Sequence, residues 1–233
     1  MSQGVGTLKP RAHIFRLPLA FTAAAIVFLI ASPDTSATRL VQIALLTAAV
    51  LLTLHAAETH SSRRHIAGFT IVVAALLSGY GSAVDDARWV RGIGEFLSAL
   101  PILWAAIMVV LWIARQKVIT IEAVVAGILV YLLIALTFAA IYGGLADSFS
   151  ADLFCAPHGD GSASERAYFS LTTITTTGYG DFVACTSVGR AFALSQAVFG
   201  QIYLVTIISL LVGNMGRVRK ARAGDPDATA DDA

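Results

Sequence analysis

Residues 175–181 read Thr-Thr-Thr-Gly-Tyr-Gly-Asp, and their types and spacing suit one kind of chemistry. A dehydrated monovalent cation needs several oxygen ligands in place of water, without a full negative charge that would trap it. Backbone carbonyls meet that need. Successive carbonyls face one axis only if the backbone alternates unusual angles, and glycine reaches positive φ without steric cost. Gly178 and Gly180 flank Tyr179 in that alternating pattern. The expected ligands are the carbonyls of Thr176, Thr177, Gly178 and Tyr179, with the Thr176 hydroxyl added at the inner end. Tyr179 is expected to pack outward as a strut. Asp181 follows at the outer mouth, where an acidic ring concentrates cations or bonds structurally behind the loop.

One strand cannot surround an ion, and the chain carries one complete copy of the motif, so four copies must meet in a cyclic homotetramer. Non-helical backbone at membrane depth survives only where it is buried in protein or lines a wet pathway. The segment therefore needs a support, and residues 167–175 read as a short helix. Ser162 and Glu165 have the spacing of a capping box, which starts that helix at about Ala163. Its C-terminal end carries partial negative charge that favours a cation below the loop.

The wider composition is that of a polytopic membrane protein: 57% of the 233 residues are hydrophobic and only 13% charged. The formal net charge of +1 gives no bulk attraction to nucleic acid. Six apolar runs of roughly membrane-spanning length lie at 15–32, 40–57, 66–84, 96–114, 123–144 and 188–213. Lys9 and Arg11 precede the first run and Arg16 lies at its start, as in a signal peptide, but further runs follow and no clear cleavage site does, so it reads as a retained helix.

With the N-terminus inside, eleven Lys and Arg residues fall in the cytoplasm. Arg39, Arg88, Arg91, Arg166 and Arg190 fall outside, which places both termini in the cytoplasm. The expected fold is an all-α membrane protein of six transmembrane helices, with a re-entrant pore helix and selectivity-filter loop between helices 5 and 6. Residues 1–118 form a four-helix membrane domain and 119–216 a pore domain. Residues 217–233 read as a disordered tail, with no cytosolic ligand-binding domain.

Residues 172–181, Thr-Thr-Ile-Thr-Thr-Thr-Gly-Tyr-Gly-Asp, resemble the signature of the potassium channel family. The similarity runs over residues 120–215, through Gly189-Arg190 to Gly200, where the family often has a gating-hinge glycine. The resemblance implies passive, selective K+ conduction through a tetrameric carbonyl filter, K+ as the transported ion and membrane lipid as the surroundings. Thr177 replaces the family's usual Val or Ile, which changes the packing behind the filter. Thr172 stands where some relatives place a glutamate, and Tyr168 and Phe169 stand where relatives commonly have bracing tryptophans.

The remaining features have plainer alternatives. Gly79-Tyr80-Gly81 lacks a threonine run and a preceding pore helix, so it reads as a helix-end turn. Gly200 is either a hinge or a close-packing site. Gln196 and Gln201 suit interhelical hydrogen bonds, and Thr206 and Ser209 face either a cavity or their own helix carbonyls. His55 has no companion motif, so enzyme chemistry is not expected and no cofactor is called for.

The fourth run lacks arginines at every third position, and Arg88 and Arg91, near two glycines and ahead of Pro101, read as outer-loop residues. Strong voltage gating is therefore not expected. The first four helices read as a degenerate sensor-like or scaffold domain. The alternatives to a K+ channel are a weakly selective cation channel or a secondary transporter, which would show internal repeats. Compactness and alanine content point to a bacterial inner membrane.

Cys155 and Cys185 are the only cysteines, and both fall on the outer face, either as free thiols or as a disulfide. Mass spectrometry after alkylation separates the two. A bonded pair takes no label until reduced, whereas free thiols take two without reduction.

Overall fold

The computed structural model describes residues 14–33, 35–57, 59, 61–83, 88–116, 119–148, 153–155, 159–209, 211 and 213. Lys9, Arg11, Lys117, Arg217, Arg219, Lys220, Arg222 and the expected tail at 217–233 lie outside them. The described chain is helical. It contains α1 (Arg16–Ala31), α2 (Ser36–Ala56), α3 (Ser61–Ala83), α4 (Arg88–Ala114), α5 (Ile121–Ser148), α6 (Ala163–Ile174) and α7 (Ser187–Tyr203), which continues into a π-helical turn, Leu204–Ile208. The β-type pairing described is one isolated antiparallel bridge between Phe154 and Ala184.

Local sequence explains the helix starts. Thr35 caps α2 by exchanging hydrogen bonds with Thr38, and Ser162 does the same for α6 with Glu165. Pro18 sits in the first turn of α1, where its missing N–H costs no intrahelical bond. Among the described residues, three helices are long and apolar enough to cross a membrane: Ala37–Ala56, Trp89–Ala114 and Ile121–Ser148. Arg16–Ala31 and Arg64–Tyr80 are shorter apolar helices. At 1.5 Å per residue, α1 spans about 24 Å against a hydrocarbon core of about 30 Å.

The core lies between α1, α2, α4 and α5, with Phe15, Leu54, Ile102, Val109, Leu129 and Leu133 fully or almost fully enclosed. Phe15 meets Trp112 edge-on at 4.6 Å between ring centroids. At the same end Glu122 joins α5 to α1, accepting from the Phe15 N–H at 3.2 Å and pairing with Arg16 Nε at 3.2 Å.

Two readings of the sequence need correction. The structure places Arg88 and Arg91 inside α4, which starts eight residues before the apolar run and continues through Pro101. The cause is tertiary. Arg91 Nε donates to Asp147 Oδ2 of α5 at 2.7 Å, and a second guanidinium nitrogen reaches Asp147 Oδ1. This bidentate pair gives the arginine a partner within the bundle.

Gly92 and Gly94 are helix-packing residues and not loop signals. A Cβ on Gly92 would lie 2.9 Å from Ser148 Oγ and 3.2 Å from the Gly144 carbonyl of α5, and one on Gly94 would lie 2.7 Å from the Ser78 N of α3. Small residues let membrane helices approach this closely, and neighbouring helices let them carry proline. The second correction is that Gly79-Tyr80-Gly81, at the end of α3 as expected, is helical there and not a turn, since α3 runs on to Ala83.

The Asp147 side chain is 2% exposed and that of Arg91 36%. Arg91→Leu leaves a buried carboxylate unpaired, so it should lower stability by about 1–3 kcal/mol. Arg91→Leu combined with Asp147→Leu should recover most of that loss. A double-mutant cycle on thermal unfolding in detergent reads the coupling; additive losses would contradict the pair.

Candidate functional site: a carbonyl-lined loop on a short helix

The backbone of 176–180 alternates in hand. Thr176, Gly178 and Gly180 have φ of 56°, 50° and 81°, while Thr177 and Tyr179 are not in the positive-φ region. The sequence pointed to the two glycines, but Thr176 was missed as a third. A β-branched residue at positive φ is a strained exception that persists only when its surroundings fix it, at about 1–3 kcal/mol.

Those surroundings begin at the C-terminal end of α6. The Thr172 carbonyl accepts two amides, from Thr177 at 2.8 Å and Gly178 at 3.2 Å, and the Thr173 carbonyl accepts from Thr176 at 3.0 Å. The loop is thus suspended from the helix that precedes it. Side chains add to this. Thr175 Oγ1 and Thr177 Oγ1 lie 2.9 Å apart, Thr176 Oγ1 donates to the Thr175 carbonyl at 2.7 Å, and Gln201 Nε2 of α7 reaches Thr176 Oγ1 at 3.4 Å.

Tyr179 is 71% exposed in the single chain, and its ring stacks on Tyr168 at 6.2 Å and 6°. The Tyr168 hydroxyl donates to Asp181 Oδ2 at 2.9 Å, and Asp181 Oδ1 accepts the Phe182 N–H at 3.1 Å. Tyr168 therefore links the loop's tyrosine to its aspartate. Thr172, at the family's glutamate position, has its hydroxyl bonded to the Phe169 carbonyl of its own helix at 3.1 Å.

Residues 107–216 match the family model described as Ion channel. The match covers just under half of the chain, from within α4 to beyond the π-helical turn, and includes the whole loop and its supports. Together with the apolar helices it supports an ion-channel family, ion transport and an integral membrane protein. No curated protein matches the chain.

Within this matched region, α6 is held on three further sides. Gln196 of α7 is fully buried; its Nε2 donates to the Ser170 carbonyl at 2.9 Å and reaches Ser170 Oγ at 2.6 Å, while its Oε1 accepts from the Tyr142 hydroxyl of α5 at 2.7 Å. Tyr131 of α5 donates to the Ile174 carbonyl at 2.6 Å. At the outer end, Tyr142, Phe154, Phe169 and Phe182 form an aromatic cluster, with Phe154 and Phe182 stacked at 4.5 Å. This cluster had no periodic signal in the sequence, because its members come from four separate segments.

Beside the cluster, the Cys155 N–H bonds the Val183 carbonyl and the Cys185 N–H bonds the Leu153 carbonyl, each at 2.8 Å. The structure pairs Cys155 with Cys185, whose Cα atoms are 5.3 Å apart. The segment before α6 and the segment after the loop are thereby clamped together. Arg166, 6% exposed, donates to the Gly161 carbonyl at 2.7 Å and so steadies the entry to α6.

Gly200 faces the end of α6. A Cβ there would lie 2.6 Å from Ile174 Cγ1 and 2.8 Å from the Ile174 carbonyl oxygen, which makes it a close-packing site. Thr206 bonds the Ile202 carbonyl of its own helix. Ser195 bonds the Ala191 carbonyl in the same manner, at 2.8 Å.

Gly200→Ala should therefore lower the thermal stability of the purified protein by about 1–3 kcal/mol, because overpacking displaces neighbouring atoms. Ile174→Ala added to it should recover little, since the closest immovable atom is backbone. Full rescue by Ile174→Ala would show that only the side chain resists.

Proposed function

We propose that the chain is one subunit of a homotetrameric, potassium-selective channel, a passive conductor and not an enzyme. The carrying observation is the alternating backbone hand at Thr176, Gly178 and Gly180, suspended from α6. Alternation turns successive carbonyls toward one side, so four copies around an axis present stacked oxygen rings to a dehydrated cation. On this reading the carbonyls of Thr176, Thr177, Gly178 and Tyr179, with the Thr176 hydroxyl, are the K+ ligands, and Asp181 rings the outer mouth.

Exposure supports the assembly. Residues 175–181 are all exposed in the single chain. Beside them α7 and its π-helical turn expose Leu194, Val198, Phe199, Ile202 and Val205 at helical spacing. An exposed loop continuous with an apolar helix face suits closure by identical copies. We assign six spans with both termini cytoplasmic in a bacterial inner membrane, residues 1–118 as a sensor-like or scaffold domain, and 119–216 as the pore domain. Voltage dependence is assigned as weak: Arg91 is paired to Asp147 of the pore-side helix α5, so it is not available to move freely across a field.

Reconstituted protein with K+ and Na+ on opposite sides of a bilayer tests the reading. A reversal potential close to the K+ equilibrium value is expected, and one near zero would sink potassium selectivity in favour of a weakly selective cation channel. An added Cβ at left-handed φ costs roughly 1–2 kcal/mol. Gly178→Ala should thus abolish selective current while leaving assembly intact.

A further inference from the structure

Beneath the loop-bearing end of the helices lies a half-open cavity of about 920 Å³, lined by α1 to α5 and the start of α6. Ligand pockets commonly measure about 300–1,000 Å³. One part of its wall is apolar, formed by Ile43, Leu46, Ile71, Ile102 and Leu136. The other carries Arg39, Gln42, Arg91, Glu95 and Arg166. Their partners are unevenly distributed. Arg91 is held by Asp147 and Arg166 by the Gly161 carbonyl. Glu95 accepts from Ser78 Oγ at 3.4 Å and lies in the field of both arginines.

Arg39 and Gln42 differ from these. Arg39 is exposed and its side chain makes no ion pair or hydrogen bond among the described residues. Gln42 Nε2 is buried with no acceptor. Three residues apart on α2, the two share one helix face. A buried amide donor without an acceptor is costly, and a free guanidinium beside it presents a fork suited to carboxylate or phosphate oxygens. Both lie within the first two turns of α2, at the end of the bundle where its apolar wall begins.

We infer that this cavity binds an anionic acyl lipid, its head oxygens on Arg39 and Gln42 and its chain along the apolar wall. Charge complementarity selects the occupant: a neutral amphiphile would fill the apolar part and leave Arg39 without a counter-charge among the described residues. The site connects α2 to α5 and α6, so an occupant touches both the four-helix domain and the helix that carries the loop. The inference does not rest on ion conduction, and its readout is binding.

The test uses the full chain in phosphatidylcholine vesicles with a long-chain fatty acid bearing a diazirine on its tail, followed by peptide mapping after photolysis. Saturable labelling of cavity-lining residues is expected, with half-saturation raised about tenfold by Arg39→Gln, the size of one lost charge-assisted hydrogen bond. The matching fatty alcohol should already show the weaker labelling. Ala75→Phe, which puts a ring into the cavity, should weaken labelling while helicity and elution stay unchanged. Competition by phosphatidylglycerol would identify a phospholipid source, and competition by free fatty acid alone a fatty-acid source. Labelling spread evenly over the lipid-facing helices, equal affinity for acid and alcohol, indifference to Arg39→Gln and Ala75→Phe, or an unlabelled cavity filled by a second copy would each overturn the inference.

Discussion

The Thr172 carbonyl is the point on which the loop depends. At a helix C-terminus the last carbonyls have no intrahelical partner, and here one of them takes both the Thr177 and the Gly178 amides. That arrangement solves two problems at once. It satisfies an orphan acceptor at the end of α6, and it fixes the direction in which a non-helical backbone departs. A loop with alternating hand has few hydrogen bonds of its own, so its geometry can be no better defined than the helix end that holds it.

The other contacts around α6 serve that requirement. Each fixes a neighbouring helix against a specific α6 residue: Tyr131 on the Ile174 carbonyl, Gln196 on Ser170, and the bare backbone of Gly200 against Ile174. Buried polar contacts of this kind specify one arrangement because any shift leaves donors unpaired in a low-dielectric interior. The strain at Thr176 is tolerated in this setting, held between the Thr173 carbonyl below and the Gln201 amide beside it. The aromatic cluster and the Cys155–Cys185 pairing hold the two chain segments that flank the loop.

What could be read from the sequence follows the range of the interactions. The loop, its short helix and the capping box at Ser162 and Glu165 are local patterns, so residue type and spacing over a few positions were enough to find them. Glycines at 178 and 180 marked two of the three positive-φ positions, but threonine at 176 carries no such mark, because its conformation is imposed from outside. The N-terminal extent of α4 was read wrongly for the same reason. Gly92, Gly94, Arg91 and Glu95 form a locally loop-like run, and only Asp147, 56 residues away, and the close face of α5 make them helical. Gly79-Tyr80-Gly81 is a second such case: a turn-like triplet stays helical in the last turns of α3.

The same pair of helices bears on how the two parts of the chain are related. A membrane domain that moves relative to its neighbour needs an interface that slides, with small changes in contact as it does so. The α4–α5 interface has the opposite character at its loop-bearing end. The Phe96 ring sits 2.6 Å from where a Gly144 Cβ would be, Glu95 packs on Gly143, and the Arg91–Asp147 pair spans the junction. Sliding α4 by one turn, about 5.4 Å, would drive the aromatic ring into side chains and separate a buried carboxylate from its partner. On the proposed reading of a channel, the first four helices therefore act on the pore less by moving past α5 than by how firmly they brace it. A ligand between α2 and α5 would act on that bracing directly.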